Sequence, residues 1–263
     1  MRLSVTDLIS FYETPLGQCA VKAVFERVHS LWGSMDELDV LGIGYPGPYL
    51  ERLAGEPRRK VCLMPAAQGG HAWTPTERGS ASVVAKEREL PFKDAMFDRV
   101  LVVHALEETS SYDSFLREIW RVCAPEARIL IIVPNRAGAW SLSDQTPFGH
   151  GRPFSQRQIK RLMRDALLEP SAWTRALYTP PVDWKIFTSA SEGWERTGEF
   201  FLPNFGGVNL VEGVKRIRID PTLPEKVRVV APAGLKPAIS SKDHLYKQSA
   251  YVTHLTQDME DLP

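Results

Sequence analysis

The chain has 263 residues, enough for one sizeable core or at most two small ones. Lys plus Arg equal Asp plus Glu at 32 each, so no overall field exists to hold nucleic acid or an anionic membrane against salt, and a specific nucleic-acid role is disfavoured. The three cysteines, Cys19, Cys62 and Cys123, are odd in number and far apart in apolar stretches, which reads as reduced packing residues of a cytosolic protein.

In chain order, Thr14 followed by Pro15 reads as an N-cap and first helical residue, and Val21, Val24, Val28 and Leu31 recur at helical spacing behind it. Five apolar runs follow, Leu38 to Ile43, Lys60 to Met64, Ser82 to Ala85, Arg99 to His104 and Arg128 to Val133. Their lack of alternation suits strands buried on both faces. Between the fourth and fifth, Phe115, Leu116, Ile119, Trp120 and Cys123 mark a helix, which makes a parallel crossover. Between the second and third, residues 68–79 contain Gly and Pro with little helical pattern, so the usual crossover helix is expected to be short or absent. Ser155 with Gln158 forms a capping-box pattern ahead of Ile159, Leu162, Met163, Ala166 and Leu167 at helical spacing. Trp173 to Tyr178 and Val208 to Ile219 read as two more strands.

An aromatic-rich segment, 180–207, with Trp184, Phe187, Trp194, Phe200, Phe201 and Phe205, separates those last two strands. It is expected to pack as a lid over the sheet; a partner-binding or lipid-binding face is the alternative. From Pro221 the text is polar and Pro-rich without period. The expected organisation is a helical extension over 1–35, an α/β domain over 36–220, and a flexible tail over 221–263. No run is long and apolar enough to span a bilayer, and the opening residues lack a charged-then-apolar signal pattern, so the cytoplasm is the expected compartment.

Gly42-Ile43-Gly44-Tyr45-Pro46-Gly47 matches G-x-G-x-x-G directly after an apolar strand and before a helix opened by Pro48. Glycine lets backbone approach a ligand there; a tight strand-to-helix turn with no ligand fits the same letters. A dinucleotide site needs an acid at the end of the second strand, and that place holds Met64 and Pro65.

The stretch Glu89-Leu90-Pro91-Phe92-Lys93-Asp94-Ala95-Met96-Phe97-Asp98-Arg99-Val100 resembles the L-P-F-x-D-x-x-F-D-x-V segment of class I S-adenosylmethionine (SAM) methyltransferases of the type 11 group. Leu116-Arg117-Glu118-Ile119-Trp120-Arg121-Val122, then Val133-Pro134-Asn135, follow in that group's order, and the resemblance covers roughly Asp36 to Lys215. It implies a Rossmann-like, seven-stranded, mostly parallel sheet with one reversed strand near an edge, SAM as cofactor, and no metal. Family members carry acids in the first glycine motif, at the end of the second strand and after the third; here those places hold Gly42, Met64 or Pro65, and Lys86. The glycine loop and wording around Tyr45 and Met64 resemble an atypical bacterial subgroup with a degenerate SAM motif.

By that resemblance the cofactor would lie against Gly42, Gly44, Tyr45, Pro46, Gly47, Met64, Pro65, Glu87, Leu90 and His104, with Glu87 and Glu89 able to compensate for Lys86. Asn135, Arg136, Trp140, His150 and Arg152 would line the pocket of a small-molecule or protein acceptor, and His104 or His150 would serve as base where the acceptor needs deprotonating. Each has a plainer reading: His104 bonded under a loop, Tyr45 packed on the following helix, Arg152 paired with a surface carboxylate. The expected function is a SAM-dependent methyltransferase of unknown acceptor. A non-catalytic binding or regulatory descendant that has lost SAM is the rival, and a nicotinamide-dependent oxidoreductase, drawn from the glycine pattern alone, is a third reading.

Overall fold

The structure, a computed structural model, describes residues 2–73, 80–182, 195, 198 and 201–216. The expected tail, and Trp184, Phe187, Trp194 and Phe200 of the aromatic segment, lie outside the described residues. At that segment's described end, Phe201 and Phe205 are exposed.

Two helices come first, α1 (Val5–Glu13) and α2 (Pro15–Trp32). The Thr14 hydroxyl accepts from Gly17 N–H at 3.0 Å with Pro15 at the first helical position, as the sequence indicates. The first helix is not anticipated, yet it opens on a full capping box: the Ser4 hydroxyl accepts from Asp7 N–H at 3.2 Å and the Asp7 carboxylate from Ser4 N–H at 3.1 Å. Such a cap contributes about 1 kcal/mol.

Seven strands follow: β1 (Asp39–Gly44), β2 (Arg59–Pro65), β3 (Ser80–Ala85), β4 (Phe97–Val103), β5 (Cys123–Pro134), β6 (Glu169–Ala176) and β7 (Val208–Val214). They form one sheet in the order β3-β2-β1-β4-β5-β7-β6. The pairings from β3 to β5 are all parallel, and β7 runs antiparallel to both β5 and β6. The Rossmann-like, mostly parallel sheet with one reversed strand is therefore as expected.

Side-chain alternation sorts the core into two faces. Val40, Cys62, Met64, Leu101, Val103, Leu130 and Ile132 face α1, α2 and the short α3 (Gly47–Leu50). Leu41, Ile43, Val61, Leu63, Val100, Val102, Ile129 and Ile131 face α4 (Tyr112–Val122) and α5 (Gln156–Asp165). Because every position of β1 is buried, its strand must read as continuously apolar. The crossover from β2 to β3 carries no helix among its described residues, and α3 in the preceding crossover is a single turn.

The family-like stretch from Glu89 to Val100 is held by α4. Leu90 N–H donates to the Glu118 carboxylate at 2.9 Å, while Arg121 donates to the carbonyls of Leu90 and Phe92, each at 2.8 Å, and to Asp94 at 2.7 Å. The two sequence segments that carry the resemblance are thus two halves of one clamp.

Candidate cofactor crevice and acceptor side

Open α/β sheets place ligands at the carboxyl ends of strands where the winding reverses, here between β1 and β4. Gly44 ends β1 at φ +97°, and a side-chain carbon added to it would strike the Val103 carbonyl. Only glycine meets both conditions. Gly42 is required by packing, since a side chain there would collide with the Pro46 ring and approach Leu50 at 2.8 Å. Tyr45 N–H donates to Val103 O at 2.8 Å, so this amide bridges β1 to β4. Gly42, Gly44 and the Tyr45 amide are thus consumed by closing the strand-to-turn joint, while Gly47 lines an adjoining cavity.

Helix α1 lies along this edge. Val5 N–H donates to Gln68 O at 2.8 Å, Arg2 pairs with Glu87 at 2.6 Å, and the Tyr12 ring stacks on Tyr45 with centroids 5.4 Å apart. The Tyr12 hydroxyl sits 2.8 Å from His104 Nε2 and 3.2 Å from the Tyr49 hydroxyl, and His104 Nδ1 lies 3.2 Å from Glu107 Oε1. Tyr12, Tyr49, His104 and Glu107 are all buried. Burial, the largest cause, drives both phenols upward in pKa, so they stand as neutral hydroxyls. His104 adopts φ +51°, uncommon for a side chain with a Cβ. Gln68 donates to its carbonyl at 3.3 Å. Glu107 Oε2 and Gln68 Oε1, both buried, find no hydrogen-bond partner.

On either side of α1 the edge stays open. A cavity of about 260 Å³ is lined by Tyr12, Tyr45, Gly47, Met64, Glu51 and Trp73, among others. Trp73 Nε1 donates to Glu51 there at 3.0 Å, and burial, with the Cys62 and Glu51 side next in effect, pushes the Tyr45 phenol up to about 12. A hollow of about 560 Å³ is lined by segments following β2, β3 and β4: Ala66, Ala67, Lys86, Glu87, Glu89 and Glu108. Burial, then Glu107, raises the Glu108 carboxyl. Thr109 donates to Glu87 at 2.7 Å.

The expected cofactor residues are therefore divided. Tyr45, Gly47 and Met64 reach the smaller cavity, and Glu87 lines the larger hollow. Gly42, Gly44, Pro46, Pro65 and Leu90 are buried, and His104 lies enclosed under Tyr12. For a SAM-sized ligand the larger hollow offers space and, against Arg2, Lys86 and Arg88, three carboxylates, of which Glu87 is already engaged by Arg2 and Thr109. The switch point does not fit one in this arrangement, because Tyr12 fills it and the Tyr45 amide is engaged.

On the acceptor side, Asn135 is buried and donates to the carbonyls of Asn204 and Gly206 at 3.0 and 2.8 Å. Trp140 is buried with Nε1 donating to Thr179 O at 2.6 Å, and His150 Nε2 lies 3.1 Å from Asp144 O. Arg136 and Arg152 are exposed and line one shared hollow, away from Trp140 and His150. Tyr12, Tyr49 and Gln68 were not anticipated as members of this cluster. The signal for Tyr12 was present: Ser4-x-x-Asp7 followed by Leu8, Phe11 and Tyr12 spells a capped helix with one apolar face.

Residues 40–131 match the family model described as a methyltransferase domain. The demethylmenaquinone methyltransferase of Streptomyces avermitilis is 32% identical over 69 residues, 26% of this chain and 27% of that protein, so the match spans about a quarter of the relative's length. Among solved structures, a SAM-dependent methyltransferase from Thermotoga maritima superposes with a TM-score of 0.57 at 16% identity, covering 81% of this chain and 96% of that one. One from Aquifex aeolicus gives 0.52 at 16%, covering 76% and 98%. The [4+2]-cyclase SpnF gives 0.51 at 16%, covering 77% and 83%. At these identities the likeness is one of fold. With the strand order, the clamp from Glu89 to Arg121 and the matched segment taken together, the α/β domain of this chain has the class I methyltransferase fold, and its residues 40–131 are similar to the methyltransferase-domain family.

Proposed function

We propose that the protein is a SAM-dependent methyltransferase of unknown acceptor with a degenerate cofactor motif, its adenosyl half held in the hollow lined by the segments that follow β2, β3 and β4. The observation that supports this is the set of carboxylates there, Glu87, Glu89 and Glu108, beside the non-acidic Lys86. SAM would supply an electrophilic methyl to an oxygen, nitrogen or carbon of the acceptor. What this chain's residues would do is accept hydrogen bonds from ribose and adenine at those carboxylates and exclude water with α1. His104 is shielded by Tyr12, so its service as a base requires Tyr12 to move. The reading carries with it a cytoplasmic placement and no metal.

The rival, a non-catalytic descendant, draws on one specific observation: Tyr12 occupies the switch point and the Tyr45 amide is spent on Val103. Calorimetric titration with SAM, its demethylated product and NAD(P) separates the readings. Methyltransferase function predicts that SAM and its product both bind, and that Glu87→Gln with Glu108→Gln weakens each about tenfold or more. Silence toward SAM at millimolar ligand, in the folded parent and in Tyr12→Ala alike, would leave the non-catalytic reading standing. Heat from NAD(P) alone would favour the oxidoreductase.

A further inference from the structure

Near the carboxyl end of β5 the charge of this neutral chain is unevenly distributed. A hollow of about 460 Å³ is lined by Arg136, Arg152 and Arg161, and another of about 350 Å³ by Arg136, Arg157 and Arg175. Arg136 belongs to both. Five arginines thus face these hollows against one acid, Asp165, which lies 3.7 Å from Arg161. The smaller hollow has no acidic lining residue among those described, and its other walls are the polar Asn135, Ser155, Gln156 and Asn204 with Ala137.

Among the described residues, Arg136, Arg157 and Arg175 have no carboxylate partner. Arg136 reaches only the Pro153 carbonyl, at 3.4 Å. Arg175 is half-buried, stacked 4.0 Å over the Trp173 ring, and donates to neutral oxygens of Asn209, Pro203 and Asn204. Its burial costs it charge stabilisation, seen as a lowered pKa. A partly desolvated cation held over an indole and lining a polar hollow with no acidic wall among the described residues is an arrangement that an anionic ligand completes. The larger hollow differs in character: Tyr112, Phe154 and Leu162 give it an apolar wall, with the first two rings edge to face at 5.5 Å.

From this division we infer that the two hollows form one binding site for a phosphate-bearing organic molecule, its phosphate gripped between Arg136, Arg157 and Arg175 and its organic body laid against Tyr112 and Phe154. Planar guanidinium forks match phosphate oxygens two at a time, which favours phosphate over a single carboxylate. The site stands on residues separate from the crevice under α1, so it does not depend on whether SAM binds.

The probe is inorganic pyrophosphate, titrated into the full chain at low salt and followed by calorimetry and amide chemical shifts, with acetate as control. Saturable binding is expected, weakening as salt rises, with shifts centred on residues 135–137, 155–157 and 175. Arg136→Gln and Arg157→Gln alter exposed side chains and are expected to fold as the parent does; together they should weaken binding by about tenfold or more. A second arm adds vesicles of neutral phosphatidylcholine with or without phosphatidic acid. Retention only by the anionic vesicles, abolished by the double substitution, identifies a lipid headgroup as the source; pyrophosphate binding without vesicle retention identifies a soluble phosphate. No saturation by pyrophosphate together with no vesicle retention, or binding that the double substitution leaves unchanged, overturns the proposal.

Discussion

The Tyr12 hydroxyl and the Nε2 of His104 meet at 2.8 Å across a separation of 92 residues, joining the first helix to the end of the fourth strand. Both groups are buried, so the bond cannot be exchanged for water without opening the edge. Tyr12→Phe keeps the ring stack on Tyr45 but leaves a buried ring nitrogen and the Tyr49 hydroxyl short of a partner. The expected cost is about 1–3 kcal/mol, a fall of several degrees in melting temperature. A variant that melts with the parent would show that α1 is not anchored at this point.

The clamp on the family-like segment gives a pH prediction. The Arg121 hydrogen bond, the largest cause, holds the Glu118 carboxyl below its usual value of 4.5, against the opposing effect of burial. A depressed folded-state pKa means the carboxylate contributes stability above the unfolded value and loses it as pH falls through the folded one. Glu118→Gln should therefore melt below the parent at neutral pH, and the gap should close as pH drops below about 4.5. Melting curves of the two proteins between neutral and strongly acidic pH measure it. A gap that stays constant or widens toward acid would assign the clamp's strength to Arg121 and the backbone alone.

Much of the fold was legible because burial on both faces leaves a plain mark: the runs from Leu38, Lys60, Arg99 and Arg128 each became a strand within a few residues of the expected bounds. The capping residues Thr14 and Ser155 mark their helices for the same local reason. Helix α1 was harder to read, since its apolar positions Leu8, Phe11 and Tyr12 span barely one turn and a half. The candidate site was legible only as a location. The glycine pattern points to the switch point, but whether its amides stay free depends on Val103, some sixty residues further on, and on a helix that precedes the sheet. No local pattern encodes a contact such as Tyr12 to His104, which is set by the register of the whole sheet.

Gly44→Ala tests whether that glycine is structural. At φ +97° an alanine is strained, and its methyl would meet the Val103 carbonyl, which itself receives the Tyr45 amide. Strain alone amounts to about 1–3 kcal/mol, and backbone displacement adds to it, so the melting temperature should fall well beyond that of Tyr12→Phe. An alanine variant as stable as the parent would return the glycine to a ligand role.

The missing acids can be restored one at a time, and the two positions differ. Met64 is 3% exposed and packed in the core beside α3, whereas the Lys86 side chain is 79% exposed at the hollow's rim. Met64→Glu would place a carboxyl where burial raises its pKa, so its cost should grow as pH rises above the unfolded value of about 4.3. Lys86→Asp should fold as the parent does, because nothing in the core depends on it beyond a 4.0 Å approach to Glu89. It removes a cation that repels the sulfonium and adds an acceptor beside Glu87, Glu89 and Glu108. If the adenosyl half binds there, Lys86→Asp should tighten SAM by about tenfold with little change in melting temperature, measured by calorimetry and thermal melts on one preparation. An unchanged affinity in the folded variant, alongside measurable binding by the parent, would move the ligand to the smaller cavity between Tyr45 and Trp73.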